Sequence, residues 1–263
     1  MSITFDYVIL ERSDCIGTIK LNRPEAQNAL NVGIGEDVVK ALELCTNDED
    51  VRAVVITGAG KAFCAGGDVA LFERSEDISG SVDQVVVSLN RVVSSIRRTP
   101  KPVVAMINGV AAGGGISLAA ACDMRVCGKS VKFKQAYTSI GLVPDGGWAL
   151  SLPLLVGYGK AAELALLDPL LNADQALEYG LVNRVVEDAD LVNVTYEIVS
   201  KIAEGPTASF ALVKENLNHS LFGFLEQQLE LERRGITMAG KSPDAKEGIA
   251  AFMEKRKAQF EGR

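Results

Sequence analysis

Residues 103–122 hold the groups best suited to chemistry in this chain. They read Val-Val-Ala-Met-Ile-Asn-Gly, then Val-Ala-Ala, then three consecutive glycines, then Ile-Ser-Leu-Ala-Ala-Ala-Cys. An apolar, β-branched run stops at Asn108-Gly109, and an alanine-rich run starts after Gly113-Gly114-Gly115. That pattern predicts a buried strand, a tight crossing and a helix. Glycines at the crossing remove every side chain, so a ligand can lie against the backbone and accept hydrogen bonds from N–H groups at a helix start. Such a site favours negative charge on its ligand. A second loop, Phe63-Cys64-Ala65-Gly66-Gly67-Asp68, allows the same backbone approach, and residues 141–148 form a further glycine-rich turn around Asp145. The glycines complete neither a dinucleotide fingerprint nor a nucleotide-phosphate loop, since the last glycine of the first pattern is missing and no Gly-Lys-Ser/Thr follows. The single histidine, His219, falls in a Leu- and Phe-rich helical segment with no Ser-His-Asp or Cys-His arrangement around it.

The elements that must carry these loops follow from periodicity. Strands are predicted at 4–10 and 15–21, joined by a turn at Ser13-Asp14. A helix from residue 26 or 27 to about 45 puts Leu30, Ile34, Val38 and Leu42 on one face. A buried strand follows at 51–57. Helical spacing of Val82, Val85, Val86, Leu89, Val92, Val93 and Ile96 predicts a helix ended by Thr99-Pro100. Beyond the glycine stretch come short strands near 124–127 and 131–135, helices at 148–155, 160–167 and 174–179, a strand at 181–186 and a helix at 191–203. Strand, strand and helix recur every few tens of residues, which predicts an α/β spiral of strand-strand-helix units rather than one doubly wound sheet. Gly205-Pro206 marks a boundary between a core over 1–204 and a helix-rich, charge-dense region over 205–263.

Bulk properties narrow the partners. With 263 residues, 48% of them hydrophobic, the chain is ample for one large core. A net charge of −7 argues against nucleic acid, while leaving room for a local cation cluster on an anionic small ligand. The five cysteines, Cys15, Cys45, Cys64, Cys122 and Cys127, are odd in number and fit no metal spacing, which favours reduced thiols and a cytoplasmic location. The first ten residues do not read as a secretory signal. Residues 102–122 carry no charge and could span a bilayer by length, but Asn108 and four glycines break the run, so no membrane partner is expected.

Four motifs in order resemble the enoyl-CoA hydratase/isomerase (crotonase) superfamily across nearly the whole chain. They are Asn22-Arg23-Pro24 with Asn28-Ala29-Leu30, Ala62 to Asp68, Gly109 to Asp123, and Gly141 to Gly147. The resemblance implies the crotonase-like spiral with a C-terminal helical oligomerisation region, in a homotrimer or dimer of trimers. Apolar Leu221, Phe222, Phe224, Leu225, Leu229 and Leu231 give such an assembly surface to bury. It implies an acyl-CoA thioester as the ligand, with coenzyme A part of the substrate and no separate cofactor. By motif position the thioester oxygen would sit between the amides of Ala65 and Gly114. The pantetheine arm would pass Ala26 and the loop of Cys64, Gly66 and Asp68. Phe252 and Lys255 would reach the coenzyme, and Leu71, Tyr137, Leu142 and Trp148 would line the acyl pocket.

The family's hydratases use two glutamates, whose positions here are Ser117 and Tyr137. Adding water needs a group to activate it and a group to deliver a proton, and neither residue suits that at neutral pH. Asp145 remains. Between Pro144 and two glycines it could be a helix N-cap. By resemblance it sits at the single catalytic aspartate of ring-epoxide and dienoyl-CoA isomerases and of aryl-CoA dehalogenases. The expected activity is an isomerase with Asp145 as acid and base. Alternatives are a hydratase-like lyase, a dehalogenase or hydrolase with Asp145 as nucleophile, and a non-catalytic acyl-CoA-binding member. The dehalogenase pattern lacks its histidine, at Asn90, and its tryptophan, at Tyr137.

Overall fold

The computed structural model describes residues 2–262. β1 (Ser2–Thr4), β2 (Val8–Ser13) and β3 (Ile16–Leu21) form an antiparallel meander, followed by α1 (Val32–Asn47). A strand-strand-helix theme then repeats. Its first turn is β4 (Ala53–Gly58), β5 (Ala62–Cys64), α2 (Val69–Glu73) and α3 (Ile78–Arg98). The second is β6 (Val103–Ile107), β7 (Val110–Ala112) and α4 (Gly114–Ala121), and the third is β8 (Met124–Gly128), β9 (Lys132–Lys134) and α5 (Trp148–Val156). The remainder is α6 (Tyr158–Leu167), β10 (Leu171–Asn172), α7 (Ala173–Glu178), β11 (Arg184–Val186), α8 (Leu191–Glu204), α9 (Thr207–Leu221), α10 (Leu225–Ala239) and α11 (Pro243–Met253).

Each turn of the spiral gives one strand to each of two sheets. The larger has the order β1-β2-β3-β4-β6-β8-β11 and is parallel from β3 onward. The smaller has the order β10-β9-β7-β5. β4 and β6 are buried along their whole length, which explains their unbroken apolar runs. α8 covers one face of the larger sheet through Leu191, Val199 and Ala203, and the main core fills the other side beneath α1, α3 and α4. The uncharged run at 102–122 is divided among β6, β7 and α4. Among the described residues no helix is long and apolar enough to cross a membrane.

Three expectations need correction. The helix expected from residue 26 or 27 begins at Val32, capped by Asn31. Gln27 and Asn28 take left-handed φ values of 52° and 56°, because Asn28 is fully buried and ties the preceding turn to β5. Its side chain accepts from the Arg23 amide and donates to the Ala59 and Ala62 carbonyls. The strand expected over 4–10 is broken after Thr4, where Tyr7 donates its amide to Asp37 on α1. Of the C-terminal apolar residues expected to need a partner, Leu225 and Leu229 are buried within the chain, while Leu221, Phe224 and Leu231 stay exposed.

Asn28→Ala should cost about 3 kcal/mol of folding stability, because it leaves two carbonyls and an amide without partners. Denaturant unfolding of the variant against wild type would measure it.

Candidate active site

The two glycine loops meet because neither carries side chains where they touch. Gly66 has φ of +93°, and a Cβ there would lie 2.8 Å from the Ala112 carbonyl oxygen. Gly113 also has positive φ, 49°, and turns the chain from β7 into α4. Gly114 opens α4, so its amide has no acceptor within the helix. Ile116 and Ser117 both turn back to the Gly113 carbonyl. The Ala65 amide donates to the Gln27 carbonyl at 3.1 Å, so a ligand oxygen at Ala65 must share or displace that bond.

These loops border a cavity of about 400 Å3. Leu30, Val82, Val85, Val86, Leu89, Leu142 and Ile236 make it largely apolar. Of the residues expected in the site, Ala65, Gly66, Gly114, Tyr137, Leu142, Asp145 and Phe252 line it. Ala26, Cys64, Asp68, Leu71, Trp148 and Lys255 do not. Ala26 lies in a 3-10 turn and its neighbour Gln27 reaches the cavity instead. Cys64 is sealed beneath the loop, where burial pushes its thiol up to about 12. Asp68 is committed to an ion pair with Arg23 at 2.7 Å and to capping α2. Leu71 is exposed on α2. Trp148 is buried, with its indole N–H donating to Gln135. Lys255 is exposed, and the adjacent Arg256 lines the cavity while held by Glu247. His219 is exposed on α9 and does not line the cavity.

Asp145 is 6% exposed, and it is the one carboxylate among the described residues that line the cavity. It does not cap α5. Glu232 from α10 does so, accepting from the Gly147 amide at 2.7 Å and the Ala149 amide at 3.0 Å. The Asp145 side chain instead accepts from the Tyr137 hydroxyl at 2.5 Å. Tyr137 sits at the start of a 3-10 turn after β9, and Ser117 on α4 lies 3.0 Å from its hydroxyl. Ser117 also donates to the Asp145 backbone carbonyl at 2.9 Å. A Cβ on Gly114 would lie 3.9 Å from Asp145 Oδ1, so carboxyl and glycine crossing share one end of the cavity.

Burial dominates the electrostatics. It pushes the Asp145 carboxyl from 3.8 to about 7; the Tyr137 hydrogen bond opposes that shift and the Glu232 charge adds to it. Burial, then the Asp145 charge, holds Tyr137 well above its usual range, so the phenol stays protonated and donates. Burial also raises Glu232, against the hydrogen bonds from Gln228, Gly147 and Ala149. The pocket thus pairs an apolar chamber with a carboxyl that exchanges protons near neutrality, beside helix-start amides suited to a developing oxyanion. Sequence reading missed Glu232, whose partners at the start of α5 lie more than 80 residues away, and missed the part α3 plays, since Val82, Val85, Val86 and Leu89 read simply as core spacing.

Comparisons with known proteins identify the family and the fold. The profile of the Enoyl-CoA hydratase/isomerase family matches residues 11–263. The chain is 36% identical over 262 residues to the 1,2-epoxyphenylacetyl-CoA isomerase of Escherichia coli K12, covering 98% of this chain and 99% of that one. It is 31% identical to the trans-2-decenoyl-[acyl-carrier-protein] isomerase of Streptococcus mutans, covering 98% and 99%. An enoyl-CoA hydratase structure from Mycobacterium avium subsp. paratuberculosis superposes with a TM-score of 0.89 at 32% identity, covering 98% and 99%.

The raised carboxyl has a sign for stability. A folded pKa near 7 against 3.8 unfolded means the native chain binds the extra proton, so stability present below pH 4 falls as pH climbs to 7. That shift corresponds to about 4 kcal/mol at most. Asp145→Asn should flatten the decline and be the more stable protein at pH 8, with a residual slope from Glu232. Thermal melts across pH 4–9 would read this.

Proposed function

The chain belongs to the enoyl-CoA hydratase/isomerase family, and from that premise we propose that it is an acyl-CoA isomerase that moves a double bond in an enoyl-CoA or a related ring-acyl-CoA. The supporting observation is the lone cavity carboxylate, Asp145, buried and tuned to about 7, with Ser117 and Tyr137 where a hydratase would need acids. Two of the relatives, the Escherichia coli and Streptococcus mutans proteins, are isomerases by name.

Asp145 takes a proton from the α-carbon of a β,γ-unsaturated thioester. The electrons move into the carbonyl, and the amides of Gly114 and Ala65 hold the resulting dienolate oxygen. One such donor is worth about 3 kcal/mol in the transition state. The same carboxylic acid then returns its proton to the γ-carbon, leaving the double bond conjugated. No water is consumed and no metal or redox cofactor takes part; coenzyme A is the handle of the substrate. A carboxyl near 7 suits both halves of this shuttle at neutral pH. The nucleophilic alternative is weaker, because Asn90 turns its amide to the Leu229 carbonyl on α10 instead of serving the cavity.

Asp145→Asn should lower isomerisation of 3-enoyl-CoA by roughly 10²–10⁴-fold while acyl-CoA binding persists. Unchanged turnover removes Asp145 from the mechanism. Binding without α-proton exchange in deuterated water, in the wild type, would identify a non-catalytic binder.

A homotrimer, or a dimer of such trimers, is part of the same proposal, as is a cytoplasmic location. Exposed Leu166 and Leu167 at the end of α6, Leu170 just after it, Phe224 at the start of α10 and Leu231 on α10 leave apolar surface for subunits to cover. Sedimentation equilibrium should return three or six times the 28.0 kDa chain mass, and monomer alone would refute it.

A further inference from the structure

We propose that Tyr137 is a positioning residue that acts through Asp145: its hydroxyl holds Oδ1, leaving Oδ2 to exchange the substrate proton, while Ser117, bonded to the Asp145 main chain, keeps the carboxyl within reach of the phenol. The inference rests on the isomerase reading for its consequence in turnover, and on geometry alone for the clamp itself. Tyr137 Oη donates to Oδ1 at 2.5 Å, and no hydrogen bond reaches Oδ2 from the described residues. Ser117 Oγ stands 3.0 Å from the same phenol oxygen and ties the Asp145 main chain at 2.9 Å. All three side chains are buried, so water does not compete for these bonds.

The physical role follows from which form of the carboxyl the phenol prefers. A donor bonds a carboxylate more strongly than a carboxylic acid, so it favours the ionised base. Burial and the nearby Glu232 charge push the other way. Without the phenol, the buried carboxyl would hold its proton at neutral pH and few molecules would have a base ready. The groups acting on Asp145 are Tyr137, from the turn after β9, and Glu232, from α10. Lys134 and Arg256 share the cavity without bonding to it; Lys134 faces Asp168 and Arg256 is held by Glu247. A fixed Oδ1 also restricts rotation about the carboxyl, so one oxygen serves both the α- and the γ-carbon without reorientation.

Difference infrared titration, with Asp145→Asn subtracted as the blank, reads the Asp145 carboxyl directly and needs no turnover. In Tyr137→Phe the protonated band should persist to higher pH, its midpoint about one unit above wild type. Ser117→Ala should move it in the same direction by less, and it serves as the second variant if Tyr137→Phe folds poorly. An unchanged midpoint in both variants overturns the proposal. In the kinetic arm, Tyr137→Phe should lose about fivefold in kcat at pH 7 and regain most of it at higher pH, with KM little changed. A uniform loss at every pH, with the acid limb unmoved, marks a space-filling residue and also overturns it. A shifted infrared midpoint in the variants, together with a wild type that never turns over 3-enoyl-CoA, would sink the isomerase reading and leave the clamp standing.

Discussion

A carboxyl group kept from water, with no cation bonded to it among the described residues, is the constraint around which this site is built. Isolating a carboxylate is costly, and the protein does not offset the cost with Lys or Arg at Asp145. It supplies one phenol hydrogen bond and lets the proton affinity rise. The result is a group poised between acid and base, which an ion pair would have fixed in the ionised form.

Position matters as much as protonation, and it comes from the spiral. Each turn ends its second strand at the same side of the smaller sheet, so the loops after β5 and β7 arrive side by side. They can close only where backbone meets backbone. A side chain at Gly66 would strike the next loop, and one at Gly114 would meet Leu30 and Leu89 and crowd the space next to Asp145. The turn carrying Asp145 comes from the third repeat and is anchored from outside the spiral by Glu232 on α10. The cavity is therefore assembled from three repeats, the segment before α1 that carries Gln27 and Leu30, and two C-terminal helices, with Gly248 and Ala251 of α11 forming part of its wall.

Much of this was legible in the sequence, because it depends on local rules. Glycine triplets, apolar strands and the spacing along α3 each follow from backbone and burial preferences within a dozen residues, and the repeat order follows from their succession. The isolation of Asp145 was legible from the lack of acids at 117 and 137. What could not be read was contact across sequence distance. Asp68 looks like part of a ligand loop until Arg23, 45 positions earlier, is found against it. Trp148 looks like a pocket wall until Gln135 claims its indole. The helix expected from residue 26 starts late because Asn28 is needed by β5, a demand no helical periodicity carries. At the C-terminus the resemblance pointed to Lys255, and the chain's left-handed turn at that residue places Arg256 toward the cavity instead.

The cap that Glu232 places on α5 has a consequence for where charge can develop. Two helices, α4 and α5, begin next to the Asp145 carboxyl, and the positive pole of each could attract an anion. At α5 both exposed amides, Gly147 and Ala149, are already saturated by a fixed carboxylate, so that pole is neutralised before any substrate arrives. Left bare, it would have steadied the ionised form of Asp145 two residues away and lowered its proton affinity. With one helix end silenced, the field within the cavity becomes directional: of these two helix starts, α4 alone leaves an amide, that of Gly114, free to attract negative charge.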